Sequence, residues 1–356
     1  MALHFTDTEF ADRKARLLAS MQAANIDALL MFRQESMYWL TGYDTFGYVY
    51  FQSLVLTADG RVVLMTRAPD LRQAQNTSNI ADIRIWVDRD GASPADDLRA
   101  ILDELALAGG RLGVEYEAYG LTGRNAMRLN AALDGFATLV DESEMVSRLR
   151  LVKSAAEIAY TRRAGALADD ALDAAHALIA GGVDEGDILA AMHSAIYRGG
   201  GDDPGNEFVI GSGPDALLCR YKSGRRPLDA EDQLTLEWAG AYRHYHAAMM
   251  RTIPVGRAQP EHLAMHAACV EALEACHAAF VPGNLVGDVF DAHEDHEHGR
   301  ACRQGFPVQT FIRNIARHRM PGDKGNSSVH VAMGDGNAGI GQTTNASRNS
   351  RDDPQP

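Results

Sequence analysis

Three stretches of sequence decide the fold of this chain: GSGPDALLCRY at residues 211–221, LTLEWAG at residues 234–240 and HYHAAMMRT at residues 244–252. The first is a glycine-containing loop, and the other two are apolar runs typical of strands. Because side chains alternate between the faces of a strand, Glu237 shares a face with Thr235 and Ala239. If a turn near residues 241–243 closes a hairpin, Glu237 and Ala248 lie on the same side of the sheet.

The chain before these stretches alternates between helical and strand-like patterns. The apolar spacing predicts, in order, a helix at 7–24, strands at 27–32, 51–56, 61–65 and 83–87, a helix at 95–107, a strand at 112–116, a helix at 121–134 and a strand at 136–140. The Asp59-Gly60 pair favours a tight hairpin turn between the second and third strands. This alternation predicts an α/β domain at residues 1–150.

A second domain is predicted after a charged segment at residues 141–153. Ser154 precedes Glu157 by three residues, the spacing of a helix-capping box. Helices are then predicted at 155–180 and 184–197, strands at 207–210, 233–238 and 245–253, and a last helix at 260–280. The length of 356 residues also favours two domains, since single cores rarely grow beyond about 250 to 300 residues.

Composition excludes several classes of function. The net charge of −14 would repel a phosphate backbone, so nucleic-acid binding is not expected. No run of apolar residues is long enough to span a membrane, and the first ten residues lack the layout of a signal peptide. We therefore expect a cytoplasmic protein without membrane contact. The four cysteines show no CxxC spacing, which indicates free thiols rather than a zinc knuckle.

The ordered series of motifs resembles the creatinase and aminopeptidase P family, whose catalytic domain has the pita-bread fold. Upstream, SMYWLTGY at residues 36–43 and RLRLVKS at residues 148–154 resemble two further motifs of that family. The resemblance covers residues 5–293. It implies a creatinase-like α/β N-terminal domain at 1–150, followed at 151–293 by a partial α+β pita-bread catalytic domain that is incomplete after about residue 293.

The resemblance also implies where metal ligands would lie in the metal-dependent members. Arg220 takes the position of a histidine ligand, Glu237 that of the first aspartate and Ala248 that of the second. A methyl group cannot ligate a metal ion, and a guanidinium would repel one. We therefore expect no metal and no other cofactor.

Metal-free members of this family offer the closer resemblance, particularly those that hydrolyse ectoine. It rests on GNEFVIGSG at 205–213, CRYKSGRRPL at 219–228 and LTLEWAGAYRHYHAAMMRTIPVG at 234–256. The implied function is a hydrolase that opens the cyclic amidine ring of ectoine to N-acetyl-2,4-diaminobutyrate. Glu237 would be the catalytic carboxylate and Arg220 would bind the substrate's acid group, because ectoine carries both an amidinium and a carboxylate.

Other residues are assigned to substrate binding on the same grounds. They are Trp39, Tyr43, Phe46, His246 and Arg251. The first three belong to an aromatic loop at 38–51 that the resemblance places at the active site of a partner subunit in a homodimer. Purely structural roles remain open for these residues. The aromatic rings could pack within their domain, and Arg220 could form an interdomain salt bridge. Glu237 could form a surface ion pair with Arg251 or Arg220.

The last part of the chain differs from the rest. No leucine follows Leu285, and residues 294–356 are rich in polar residues and glycine, which predicts a disordered tail. The HEDHEH run at 293–298 is interpreted as a solvated segment rather than a metal site. An altered reading frame or a truncated domain would explain the change and would put the activity of this chain in doubt. The alternative functions are an Xaa-Pro aminopeptidase or dipeptidase, a creatinase-type amidinohydrolase, and an inactive binding protein.

Overall fold

The computed structural model describes residues 3–217 and 226–293, which divide into two compact units between Lys153 and Ser154. No helix among the described residues is long and apolar enough to cross a membrane. The tail predicted to be disordered, residues 294–356, lies outside the described residues, and so does the segment 218–225 that contains Arg220.

The first unit is a mixed six-stranded sheet with helices, as the α/β prediction requires. Its elements are α1 (Asp7–Ala23), β1 (Ala28–Met31), α2 (Gln34–Thr41), β2 (Ser53–Thr57), β3 (Val62–Arg67), α3 (Leu71–Thr77), β4 (Asp82–Trp86), α4 (Pro94–Glu104), β5 (Arg111–Val114), α5 (Gly123–Leu133), β6 (Thr138–Asp141) and α6 (Met145–Leu151). The strand order is β4-β3-β2-β1-β5-β6. Strands β2 and β3 form the predicted hairpin, whose turn contains Gly60 at a φ of 88°.

Both faces of the central strands β1 and β2 are buried. On β1, Leu30 packs into one apolar cluster while its neighbour Leu29 packs into another. Successive side chains of a strand point to opposite faces, so a strand that is buried on both sides carries an uninterrupted apolar run. This explains why residues 28–31 show no polar alternation.

A buried carboxylate organises the start of α2. Glu115 is fully buried, and its Oε2 accepts hydrogen bonds from the backbone N–H groups of Phe32 and Arg33, each at 2.9 Å. Its Oε1 accepts a hydrogen bond from the Ser36 hydroxyl at 2.5 Å. Burial raises the pKa of Glu115, and these three donors oppose that shift. The carboxylate therefore satisfies the backbone N–H groups of the two residues that lead from β1 into α2.

Replacing Glu115 by Ala should lower the free energy of unfolding by about 2 to 3 kcal/mol, because three buried donors lose their acceptor. Urea unfolding followed by circular dichroism measures the change. Glu117→Ala is the matched control, since the Glu117 side chain is 80% exposed and should change stability little. Equal effects of the two substitutions would contradict a structural role for the buried carboxylate.

The second unit begins with two helices and continues into an antiparallel sheet. Its elements are α7 (Ala155–His176), α8 (Glu185–Arg198), β7 (Val209–Ser212), a short 3-10 helix (Gly213–Leu217), β8 (Asp232–Tyr242), β9 (Tyr245–Val255) and α9 (Pro260–Ala279). The strand order is β7-β8-β9. The predicted capping box is confirmed: the Ser154 hydroxyl accepts from the Glu157 N–H, and the Glu157 carboxylate accepts from the Ser154 N–H.

The hairpin β8–β9 is longer than the sequence predicts. Its turn is Arg243-His244, at φ values of 50° and 66°, rather than a turn near residues 241–243. Positive φ at both central residues gives a turn whose twist matches that of the flanking strands, which lets the pairing continue to the tip. The apolar pattern underestimates both strands because most of the added residues are alanine, glycine or proline, which are uncommon in strands.

One face of the hairpin packs closely on α7. Leu234, Leu236 and Trp238 are buried, and the Trp238 indole N–H donates to the Ala168 carbonyl oxygen at 2.9 Å. Gly240 also faces α7, and a Cβ at this position would overlap the carbonyl oxygen of Ala164. The helix therefore lies directly against the backbone of β8, and the opposite face of the sheet is the one on which Glu237 lies.

Candidate functional site

The register of the hairpin defines the face that carries Glu237. Glu237 pairs with Met250, Thr235 with Thr252, and Ala239 with Ala248. Paired residues of an antiparallel ladder point to the same side. Glu237 and Ala248 therefore lie on one face, as the alternation of side chains predicts. We call this surface of β7, β8 and β9 the Glu237 face.

Glu237 lies in the middle of that face. It is on the central strand, between Val209 of β7 and Met250 of β9, and its side chain is exposed. On one side along the hairpin, the hydroxyl oxygens of Thr235 and Thr252 are 3.4 Å apart. Among the described residues of the three strands, Glu237 is the only carboxylate on this face. The site therefore combines one negative charge with hydroxyl and apolar neighbours.

Backbone segments border the Glu237 face at both ends. Near the hairpin tip, His246 Nε2 accepts from the Gly205 N–H at 2.9 Å, and its Nδ1 lies 2.9 Å from the His244 carbonyl oxygen. At the other end the 3-10 helix covers Gly211, where a Cβ would come within 2.5 Å of the Asp215 carbonyl oxygen. The face between them extends from Thr235 to Ala241, roughly 20 Å at about 3.3 Å per residue.

A buried polar cluster holds the residues on either side of the segment 218–225. The Ser212 hydroxyl donates to Glu185 at 2.6 Å and accepts from Arg226 at 2.6 Å. Arg226 also forms an ion pair with Asp232 at 3.0 Å. Burial alone would raise the pKa of Asp232, but hydrogen bonds from the Asp229 and Gln233 N–H groups, together with the Arg226 ion pair, hold it below its usual value. The cluster therefore ties the end of β7 to α8 and to the start of β8.

Two of the residues assigned to substrate binding have other positions in the structure. Arg251 pairs with Leu236, so it lies on the opposite face of the hairpin from Glu237. His246 is on the Glu237 face, but both of its ring nitrogens contact backbone groups, which gives it a structural role at the hairpin tip. The structure therefore places neither side chain beside Glu237. Arg220 lies outside the described residues.

The aromatic residues assigned from the first unit divide into two groups. Trp39 and Tyr43 are packed in its core, and the Tyr43 hydroxyl donates to Gln52 at 2.7 Å. Burial raises the pKa of the Tyr43 hydroxyl. We therefore correct their assignment from substrate contact to core packing, because neither ring reaches the surface of this unit. Phe46, by contrast, is 92% exposed.

Two side chains that flank Glu237 have no role predicted from the sequence. Val209 and Met250 lie on either side of it across the sheet. Met250 could have been predicted from the alternation of side chains, because Met250 lies two residues from both Ala248 and Thr252 and so shares their face. Val209 could not be placed without the register of β7.

Comparisons with known proteins place this architecture in a family. Residues 159–320 match the profile of metallopeptidase family M24, and residues 13–152 match that of the creatinase/prolidase N-terminal domain. An uncharacterized hydrolase/peptidase of Sinorhizobium fredii is 30% identical over 292 residues, covering 79% of this chain and 74% of the relative. The chain belongs to metallopeptidase family M24. Its fold is an α/β creatinase-like domain followed by a pita-bread domain, and the M24 match extends past residue 293 to residue 320.

Relatives of this M24 chain include proteins with different activities. The ectoine hydrolase of Halomonas elongata is 27% identical over 342 residues, covering 86% of this chain and 82% of that enzyme. The solved structure of dipeptidase PepE from Mycobacterium ulcerans has a TM-score of 0.71 at 24% identity, with 86% and 81% of the two chains covered. The prolidase from Thermococcus sibiricus has a TM-score of 0.73 at 18% identity, with 84% and 79% covered. The similarity to these two structures shows the fold. The substrate has to be inferred from the residues of the candidate site.

The metal ion that the family name implies does not fit the described residues. Within residues 3–217 and 226–293, no group of three or more His, Cys, Asp or Glu side chains is placed to hold a metal ion. On the Glu237 face the pair beside Glu237 is Ala239 and Ala248, which offers two methyl groups. A dinuclear centre needs several carboxylate or imidazole ligands at fixed positions. We therefore derive no catalytic step through a metal.

Proposed function

We propose that this M24 chain is a hydrolase of the C–N bond of a cyclic amidine, and that it opens the ring of ectoine without a metal ion. The observation that carries the proposal is that Glu237 is the one carboxylate among the described strand residues of its face, where the neighbouring positions are alanine, threonine and methionine. A substrate that is itself cationic supplies the positive charge that a metal ion would otherwise supply. The similarity to an ectoine hydrolase supports the choice of substrate.

One carboxylate can promote ring opening by either of two routes. As a base, Glu237 takes a proton from water while the water oxygen bonds to the amidinium carbon, and the proton then passes to the ring nitrogen that leaves. As a nucleophile, a Glu237 oxygen bonds to that carbon, and the ring C–N bond breaks as a proton passes from the retained to the departing ring nitrogen. Water then hydrolyses the resulting imidoyl ester, which returns the Glu237 carboxylate and leaves the acetylated nitrogen on the product. Both routes consume one water and give an N-acetylated diamino acid. Mass spectrometry of acid-quenched protein distinguishes them, because only the second leaves an adduct on Glu237.

The proposed function is tested with the full chain and three substrates. Ectoine should be converted to an N-acetyl-diaminobutyrate, detected by mass spectrometry, and added chelator should leave the rate unchanged. Creatine and an Xaa-Pro dipeptide, the latter with and without manganese or cobalt, are the comparison substrates. Consumption of either in place of ectoine would assign one of the alternative activities. Saturable binding of ectoine without turnover would indicate a non-catalytic binding protein.

We also propose that the chain acts as a homodimer through the exposed aromatic residues of its first unit. Phe46 is 92% exposed and Tyr119 is 88% exposed, and Tyr119 contacts Tyr48 edge to face at 6.4 Å. Aromatic side chains are enriched at protein interfaces. Sedimentation equilibrium should give a dimer for the unmodified chain and a weaker association constant for Phe46→Ser. A monomer at micromolar concentration would remove this proposal.

A further inference from the structure

The Glu237 face is chemically divided along the hairpin. On one side of Glu237 lie the hydroxyl groups of Thr235 and Thr252, which are 3.4 Å apart. On the other side lie the methyl groups of Ala239 and Ala248. Side chains on one face of a strand repeat at about 6.6 Å, so both pairs are within reach of a small ring that is placed over Glu237.

Met250 lies directly across the ladder from Glu237. It is an apolar side chain, yet 53% of it is exposed. Cβ atoms of directly paired residues are about 4.5 to 5.5 Å apart, so the thioether can lie over a group that is bound at the carboxylate. Methionine is flexible and polarisable, which suits contact with a ligand of irregular shape. A cation also binds a carboxylate more tightly where an apolar neighbour displaces water.

We infer that Met250 determines specificity by covering the apolar edge of a small planar cation held at Glu237, while Thr235 and Thr252 receive its polar edge. The inference rests on the proposed function and names the substrate class more closely. That class is an amidinium ring with a methyl-bearing edge on one side and a hydrogen-bonding group on the other. The threonine pair acts as a positioning element, because its hydroxyls can donate to and accept from a bound polar group.

Oxidation of methionine gives a readout that does not depend on turnover. In Glu237→Gln, which keeps the substrate intact, dilute hydrogen peroxide should convert Met250 to the sulfoxide, since exposed thioethers oxidise readily. Saturating ectoine should slow the oxidation of Met250 by at least about 5-fold, which corresponds to about 80% occupancy by a covering ligand. Met127 and Met265, which are 75% and 45% exposed, are internal controls whose rates should stay the same. Peptide mass spectrometry follows all three sites in one sample.

Kinetic discrimination tests the same inference in the active chain. An ectoine analogue without the ring methyl group should have a kcat/KM about 10-fold lower than ectoine, the low end of the effect of one methyl group in an apolar pocket. Met250→Ala should abolish this preference, whereas Met250→Leu should keep it. Thr252→Val should raise KM more than it lowers kcat, and Thr252→Ser should restore KM.

The outcomes separate failure of this inference from failure of the proposed function. If calorimetry shows that ectoine binds and Met250 oxidises equally fast with and without it, the inference is overturned and the proposed function remains. Unchanged discrimination in Met250→Ala would have the same meaning. If ectoine neither binds nor reacts in the unmodified chain, the proposed function is lost and the inference is lost with it.

Discussion

Replacing Glu237 by Gln should lower the turnover of ectoine by a factor of about 10² to 10⁴, the span that a positioned acid–base group usually contributes. The substitution keeps the shape of the side chain but removes its charge and nucleophilicity. An amidinium is resonance-stabilised and a poor electrophile, so water attacks it slowly without a carboxylate that is held against it. Initial rates from product mass spectrometry measure the effect. Binding should weaken as well, because the ion pair with the substrate is lost.

Two control variants make this result specific. Glu231→Gln removes a carboxylate at an exposed position that is ion-paired with Arg257 at 3.7 Å and should leave turnover unchanged. Glu237→Asp keeps the negative charge, but its side chain is shorter by one methylene group. The activity of this variant should therefore lie between that of Glu237→Gln and that of the unmodified chain. Unaltered turnover in Glu237→Gln would remove the carboxylate mechanism and would direct attention to another residue.

The residues that share a face of the candidate site can be predicted from the sequence, because the side chains of a strand alternate strictly between its two faces. Glu237, Ala248, Met250 and Thr252 share a face for the same reason that Arg251 does not: one residue along a strand reverses the direction of the side chain. The alternation therefore already separates Arg251 from Glu237, and the resemblance to other proteins does not outweigh it. The capping box at Ser154 and the turn at Gly60 depend on equally local rules and are found where the sequence places them.

The aromatic residues could not be assigned from sequence alone. Trp39, Tyr43 and Phe46 lie within eight residues of one another, and all three types occur both in cores and at interfaces. What separates them is tertiary structure. The carbonyl oxygen of Trp39 accepts from the buried Arg13 at 2.9 Å, whereas Phe46 lies on the surface. Trp39 lies in α2, whereas Tyr43 and Phe46 lie in the irregular segment that follows it. Which of these rings face a core depends on the path of the chain, and a short helix followed by an irregular segment carries too little periodic pattern to predict that path.

The close packing of α7 on the hairpin leads to the largest expected effect on stability. In Gly240→Ala, the added methyl group would overlap the Ala164 carbonyl oxygen and approach the Ala168 amide nitrogen to 2.6 Å. Both atoms belong to helix backbone, which cannot rotate away as a side chain would. Overpacking of this kind costs about 1 to 3 kcal/mol, occasionally more, and we expect a loss of about 3 kcal/mol here because the clash is with backbone.

Gly165→Ala is the matched control on the facing helix. Its Cβ would meet only the Ala247 methyl group, at 3.9 Å, which is an ordinary van der Waals contact. Alanine is favoured over glycine in a helix by about 1 kcal/mol, so this variant should gain stability where Gly240→Ala loses it. Urea unfolding measures the change in the free energy of unfolding of each variant, which should be positive for Gly165→Ala and negative for Gly240→Ala. Hydrogen exchange should show that Gly240→Ala loosens α7, β8 and β9 and leaves β1 and β2 protected. A stable Gly240→Ala variant would mean that α7 can move away from the hairpin, and Glu237 would then lack the rigid support that its proposed role requires.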